Sequence, residues 1–179
     1  MVYFFIADGF EEIEALCPLD LLRRAGIEVR TVGVGSREIT GSHGITVKTD
    51  MTDAEYSDGA PELVFLPGGM PGTLNLAANA TVREAVMTAY GNGAYVAAIC
   101  AAPMIFGELG ILRGREAICY PSFEDKLTGA RISSKRTVAD GNVLTAAGMG
   151  VSLDFGLLIV EKLRDKATAD ELRRTVIAD

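Results

Sequence analysis

The segment Tyr95-Val-Ala-Ala-Ile-Cys100-Ala-Ala-Pro103 holds the residue most suited to nucleophilic chemistry. An apolar strand ends at Cys100 and a helix is expected directly after it. Ala98 and Ala102 stand two positions to either side. A tight, strained strand-to-helix turn lifts one side chain clear of the backbone, and bulky neighbours would collide with it. A thiol so placed faces a helix N-terminus, whose unpaired N–H groups and dipole favour the thiolate. Pro103 suits the first turn of that helix. The competing reading is a cysteine packed into a βα junction, since free cysteine is among the most buried residue types.

Two further segments could complete such a site. Leu63-Val-Phe-Leu-Pro67-Gly68-Gly69-Met-Pro-Gly72 puts two glycines at the carboxyl end of another buried strand. Exposed backbone N–H groups there could form an anion nest, and Gly69 with the N–H of Ala101 could form an oxyanion hole. The plainer reading is a tight βα turn. Neither G-x-x-x-x-G-K-[ST] nor G-x-G-x-x-G is present at this loop, so nucleotide binding is not signalled. Glu14 is the third candidate. Its helical neighbours Cys17, Pro18 and Leu21 place it on an apolar stripe, where a carboxyl is either solvated at a cleft edge or desolvated with a raised pKa. Otherwise it is an ordinary first-turn acid beside Glu11 and Glu12, with Asp8 as the expected cap. Cys17 in mid-helix and Cys119 in a strand read as core packing. His43, in the Gly-Ser-His-Gly tip of a hairpin, reads as a solvated loop residue. Gly148-Met-Gly150 reads as a helix-entry turn.

The elements that must position these residues alternate along the chain. Strands are expected at Val2–Ala7, Ile27–Val34, Leu63–Leu66, Tyr95–Ile99, Ala117–Cys119, Arg136–Ala139 and Val143–Ala146, with an Asp140-Gly141 turn between the last two. Ile39–Thr40 and Ile45–Lys48 read as a small hairpin. Helices are expected at Glu11–Ala25, Leu74–Ala78, Thr81–Tyr90, from just after Cys100 to Leu109, at Val151–Arg164 and at Ala169–Ile177. Apolar strands alternating with helices predict a mostly parallel sheet covered on both faces. The expected fold is α/β, a flavodoxin-like three-layer sandwich, and sites in such sheets gather at the strand carboxyl ends.

Composition narrows the chemistry. The 179 residues predict a single domain spanning 1–179. Apolar residues with glycine make up about 58% of the chain, above the usual share of about 45–50%, and only 23% are charged, which argues against disorder. Seventeen basic residues against 24 acidic ones give a net charge of −7, which argues against nucleic acid and anionic membrane as partners. Three cysteines without a C-x-x-C spacing do not make a disulfide scaffold, a zinc ribbon or a dithiol centre. With one histidine and no calcium-loop pattern, no metal and no other cofactor is expected. The apolar start, Met1–Ala7, is too short for a leader, and no run approaches the about 18 apolar residues that span a bilayer. A soluble, cytoplasmic protein with reduced thiols is the expectation.

Taken together, the motifs resemble the ThiJ/PfpI superfamily, in its DJ-one-like branch, nearly end to end. The resemblance rests on Glu11-Glu-Ile-Glu14 with Pro18-Leu-Asp-Leu-Leu-Arg-Arg-Ala-Gly26. Leu66-Pro-Gly-Gly69, Ala97-Ala-Ile-Cys-Ala-Ala-Pro103 and Asp140-Gly-Asn-Val-Leu-Thr145 follow in order. It implies a homodimer, a reactive Cys100, and a protonated Glu14 that donates a hydrogen bond to the thiolate. An ionised Glu14 would instead repel that thiolate, and the two titrations would be coupled. Two departures matter. Ala101 stands where peptidase-like relatives carry histidine, and Tyr120 stands where many DJ-one-like members do. No histidine lies downstream of Cys100, as the similar amidotransferases require, so proteolysis and glutamine hydrolysis are not expected.

The resemblance implies glyoxalase or deglycase chemistry on small dicarbonyls such as methylglyoxal, or on glycated adducts. Cys100 would attack, Glu14 would move protons, and the Gly69 and Ala101 N–H groups would hold the oxyanion. Gly68 and Tyr120 would line the site, and Arg24 and His43 would approach it from a partner copy. The rival reading is a redox-sensing or chaperone-like stress protein whose cysteine oxidises to sulfinate without turnover. A third reading, binding of a phosphorylated metabolite at residues 68–72, lacks a basic clamp nearby in sequence.

Overall fold

The computed structural model describes residues 1–57 and 59–178. In chain order its elements are β1 (Val2–Ile6), α1 (Glu12–Arg24), β2 (Val29–Gly33), β3 (Glu38–Thr40), β4 (Thr46–Lys48) and β5 (Met51–Thr52). Then come β6 (Leu63–Leu66), α2 (Gly72–Ala78), α3 (Ala80–Gly91), β7 (Tyr95–Ile99), α4 (Pro103–Glu108) and β8 (Glu116–Ala117). The chain closes with β9 (Arg131–Ile132), β10 (Thr137–Asp140), β11 (Val143–Ala146), α5 (Ser152–Leu163) and α6 (Lys166–Thr175). Short 3₁₀ turns at Glu124–Lys126 and Met149–Val151 complete them.

Seven strands form one sheet in the order β10-β11-β7-β6-β1-β2-β5. All neighbours run parallel except β10, which turns back on β11 through Asp140-Gly141, where Gly141 takes φ 62°. The central strands β1 and β6 are buried along their whole length, as a doubly covered sheet requires. One face packs its Phe5, Val64, Val96 and Ala98 against Leu76, Val86 and Phe106 of α2, α3 and α4. The other packs Phe4, Phe65, Ala97 and Leu144 against Leu22, Phe155, Ile159 and Leu172 of α1, α5 and α6. The architecture is a three-layer flavodoxin-like sandwich, as the strand–helix alternation predicts. No helix among the described residues is long and apolar enough to cross a membrane.

Several local expectations need correction. Asp8 does not cap α1; its Oδ1 accepts from the Thr40 N–H instead, and Glu11 is the cap, accepting from the Glu14 N–H at 2.7 Å. Cys119 lies in the loop after β8 rather than in a strand. The helix after the Cys100 turn begins at Pro103 and has six residues. Strands β5 and β9, two residues each, carry no readable pattern of their own and exist through their neighbours.

Candidate functional site

Four parallel strands deliver their carboxyl ends to one place. The register sets Leu66 beside Ala98 and Ile99 beside Ala146, so the loops after β6, β7 and β11 leave the sheet side by side. Chain order reverses between β1 and β6, where open α/β sheets form a crevice. Helix α1 follows β1 across that crevice. Gly156 of α5 lets it sit close, because a Cβ there would stand 2.6 Å from Leu21 Cδ1 and 3.0 Å from Pro18 Cα.

Cys100 occupies the turn after β7 with φ 65°, a left-handed conformation that costs a residue with a Cβ on the order of 1–2 kcal/mol. The surrounding backbone holds it there. Its N–H donates to Ala146 O at 2.9 Å, and its carbonyl accepts from the Tyr120 N–H at 2.8 Å. Glu14 lies opposite, with 1% of its surface exposed. It is therefore neither a solvated acid nor an ordinary first-turn acid. Its Oε2 accepts from the Gly68 N–H at 3.0 Å, and it is hydrogen-bonded to the Cys100 side chain and to the backbone at Met149. Glycine at 68 is obligatory, since a Cβ would stand 2.5 Å from Glu14 Oε2 and 2.6 Å from Cys100 Cβ. The backbone N–H groups of Gly69 and Ala101 donate to the Cys100 sulfur.

The electrostatics couple the pair. Burial pushes the Glu14 carboxyl up to about 7, and the Glu11 charge adds to the rise; hydrogen bonds from Cys100, Gly68 and Met149 oppose it. Burial also pushes the Cys100 thiol up to about 12, helped by the facing Glu14 and opposed by the Ala101 and Gly69 N–H groups. Desolvation and the facing carboxylate thus work against the N–H groups of the turn, which lower the thiol. The pair releases one proton near neutrality and retains the other. A Cys100 thiolate fits this cavity only beside a protonated Glu14, because two buried anions in contact repel.

Gly68, Gly69, Ala101 and Tyr120 gather around the pair. Tyr120 does so through its backbone, with its ring half-exposed and near Gly148. Arg24 does not join it within the chain. It sits in the last turn of α1, pairs with Asp20 at 2.6 Å, and borders a separate cavity beside α6. His43 faces Glu12, its Nδ1 lying 2.8 Å from Glu12 Oε2. Metal-ligating atoms of Glu11, Glu12 and His43 lie within 4.8 Å of one another, yet Glu12 is already committed to the hairpin and Glu11 to its cap. Cys119 is buried and Cys17 half-buried; burial raises both thiols. Sequence reasoning missed Met149, whose backbone reaches Glu14. The signal available was that Gly148-Met-Gly150 follows a strand adjacent to that of Cys100.

An α/β sandwich with a cysteine at a strained strand end and a buried acid against it is the class these features define. The chain belongs to the DJ-1/PfpI family, matching it over residues 1–162, and its relatives place it in the DJ-1-like branch. It is 33% identical over 177 residues to the Parkinson disease protein 7 homolog of Danio rerio, covering 96% of this chain and 94% of that protein. It is 35% identical over 170 residues to protein DJ-1 homolog B of Arabidopsis thaliana, covering 93% of this chain but only 39% of that longer protein. A protein named deglycase in Pyrococcus abyssi is 34% identical over 139 residues, covering 76% of this chain and 82% of that one. Among solved structures, oxidized Toxoplasma gondii DJ-1 superposes with a TM-score of 0.95 at 29% identity, covering 98% of this chain and 97% of that one.

Proposed function

We propose that this chain is a cofactor-independent glyoxalase or deglycase that acts on 2-oxoaldehydes such as methylglyoxal, or on their adducts. The observation that carries the reading is the hydrogen-bonded Cys100–Glu14 pair, which shares one proton near neutrality and has no imidazole beside it. Such a pair suits carbonyl addition and short proton transfers better than amide cleavage. The deglycase name of the Pyrococcus relative supports the same class.

The steps follow from the proton inventory. Cys100 sulfur bonds to the aldehyde carbon, the carbonyl π electrons move to oxygen, and Glu14 gives that oxygen its proton. The Gly69 and Ala101 N–H groups face this developing charge. Glu14, now a carboxylate, removes the proton from the same carbon. The electrons pass into an enediolate, Glu14 returns that proton to the neighbouring carbon, and the hydroxyl proton moves from the first oxygen to the second, leaving the thioester carbonyl. Water then cleaves the resulting thioester, releasing lactate and the thiol. The balance is methylglyoxal plus water to lactate and a proton, with no external oxidant or reductant.

Lactate formation from methylglyoxal by wild type, Cys100→Ser and Glu14→Ala tests the reading. Loss in both variants is expected; equal lactate from all three would overturn it. In the same reading the chain pairs with a second copy, carrying Arg24 and His43 toward the partner's site, and a monomeric mass in light scattering removes that element. A second reading draws on the oxidized state of the Toxoplasma structure. Oxidation of Cys100 to sulfinate places oxygens against Glu14 and the same N–H groups. Selective addition of two oxygens at Cys100 by mild peroxide, without carbonyl turnover, favours it.

A further inference from the structure

A cavity of about 350 Å³ lies next to the Cys100 turn, lined by Tyr120, whose N–H donates to Cys100 O, and by Pro121, Arg136 and residues 147–151. Arg136 is the one charged side chain of that lining. The floor is the Gly148-Met149-Gly150 segment, and its ends mark two different groups. A Cβ on Gly148 would lie 3.9 Å from Glu14 Oε1, and a Cβ on Gly150 would lie 3.6 Å from Arg136 Nη2. Two residues of chain span at most about 7 Å, so the short segment that neighbours the Glu14 carboxyl at one end neighbours the Arg136 guanidinium at the other. The rest of the lining is apolar or small.

The guanidinium is oriented but not neutralised. Arg136 Nη2 donates to Gly150 O at 3.0 Å, and among the described residues no carboxylate forms an ion pair with it. On its far side a separate cavity of about 490 Å³ carries Asp154, Glu161 and Asp170. Each of these is paired elsewhere, with Arg173, Lys162 and Lys166. The exposed guanidinium at this cavity is therefore free of any carboxylate among the described residues, and its planar fork can take one from outside.

We infer that Arg136 is a specificity-determining residue that selects 2-oxoaldehydes bearing a carboxylate a few bonds from the aldehyde. With that aldehyde carbon on Cys100, a carboxylate two methylenes beyond the dicarbonyl reaches along the segment to the guanidinium. The class is represented by 4,5-dioxopentanoate, which with one water gives 2-hydroxyglutarate as methylglyoxal gives lactate. The reaction rests on the glyoxalase reading; the recognition does not.

The test separates the two. Cys100 is alkylated with 5-bromopentanoate, whose carboxylate stands at the same spacing from sulfur, and with its neutral counterpart 5-bromopentanamide, in wild type, Arg136→Met and Arg136→Lys, and modification at Cys100 is followed by peptide mass. The acid-to-amide rate ratio is expected to fall about tenfold in Arg136→Met at low ionic strength, the scale of one charge-assisted hydrogen bond. Arg136→Lys retains part of it, and the amide rate stays unchanged, which shows an intact fold. Equal ratios in wild type and Arg136→Met would overturn the inference. In turnover, the preference for the dioxopentanoate over methylglyoxal, read as a ratio of catalytic efficiencies, falls by a similar factor in Arg136→Met. A wild type that turns over neither compound removes the glyoxalase reading, while the alkylation ratio still decides the role of Arg136.

Discussion

Glu12 and Glu14 stand two residues apart on α1, and each is almost wholly buried, with 2% and 1% of its surface exposed. Each also lies under a glycine that has no room for a Cβ: Gly41 over Glu12 and Gly68 over Glu14. Their acidities nevertheless move in opposite directions. Burial pushes Glu12 up, but the His43 side chain and the backbone N–H groups of His43 and Ile45 together hold it below its ordinary value. Glu14 faces a thiol, two backbone donors and the charge of Glu11, and burial wins. The difference teaches that depth alone does not set a carboxyl's role. Two residues turn the helix by about 200°, enough to give one glutamate a hairpin to clamp and the other a nucleophile to serve.

The sharpest way to break this contrast is to neutralise each carboxyl in turn. Glu14→Gln is expected to lower methylglyoxal turnover by about 100-fold or more, the usual worth of a general acid–base group, whereas Glu12→Gln leaves turnover at the wild-type level. Similar losses in both would erase the distinction. Stability runs the other way. At pH 8, denaturant unfolding is expected to show Glu12→Gln destabilised by about 1–3 kcal/mol, since its hairpin donors lose a charged acceptor. Glu14→Gln, relieved of a buried charge, is expected to match or exceed wild type.

The pH dependence of stability separates the two again. The folded-state pKa of Glu14 is raised from 4.5 to about 7, so its contribution is full below pH 4.5 and is lost as pH rises through 7. On the order of 3 kcal/mol is at stake, shared with Cys100, and the loss should vanish in Glu14→Gln. Glu12 is depressed, so its contribution holds above pH 4.5 and disappears as pH falls through its lower folded value. His43 is raised from 6.5, so its part is full below 6.5 and is lost above. The hairpin clamp is therefore tightest between about pH 4.5 and 6.5. Thermal unfolding across pH 4 to 8 reads both windows. The smallest effect belongs to His43→Ala. The backbone donors to Glu12 remain, so the fold persists, while the Glu12 carboxyl titrates higher by NMR. An unchanged Glu12 titration would assign the depression to the backbone alone.

The strand–helix alternation was legible because each βα unit carries its own apolar run and stop signal, and Leu63–Leu66, Tyr95–Ile99 and Val143–Ala146 appear with the expected bounds. The turn at Cys100 was legible for the same reason: Ala98, Ala102 and Pro103 leave a local mark. What escaped were contacts that join distant segments. Asp8 is claimed by Thr40, 32 positions away, so a good local cap goes unused. Glu12 meets His43 across 31 positions, and nothing in Glu-Glu-Ile-Glu distinguishes it from its neighbours. Arg136 reads as a strand residue until Gly148-Met149-Gly150 folds beside it.

The sequence by itself determined the layered sheet, the cysteine at a strand end and the shortage of imidazole, because apolar periodicity, small residues around a turn and residue counts are local or additive properties. Tertiary structure alone decided which of three adjacent acids is raised, which is lowered and which caps the helix. It also set burial and Glu14 against the N–H groups at the Cys100 thiol. Those outcomes depend on desolvation and on donors brought from 31 to 54 residues away, and only packing sets either one.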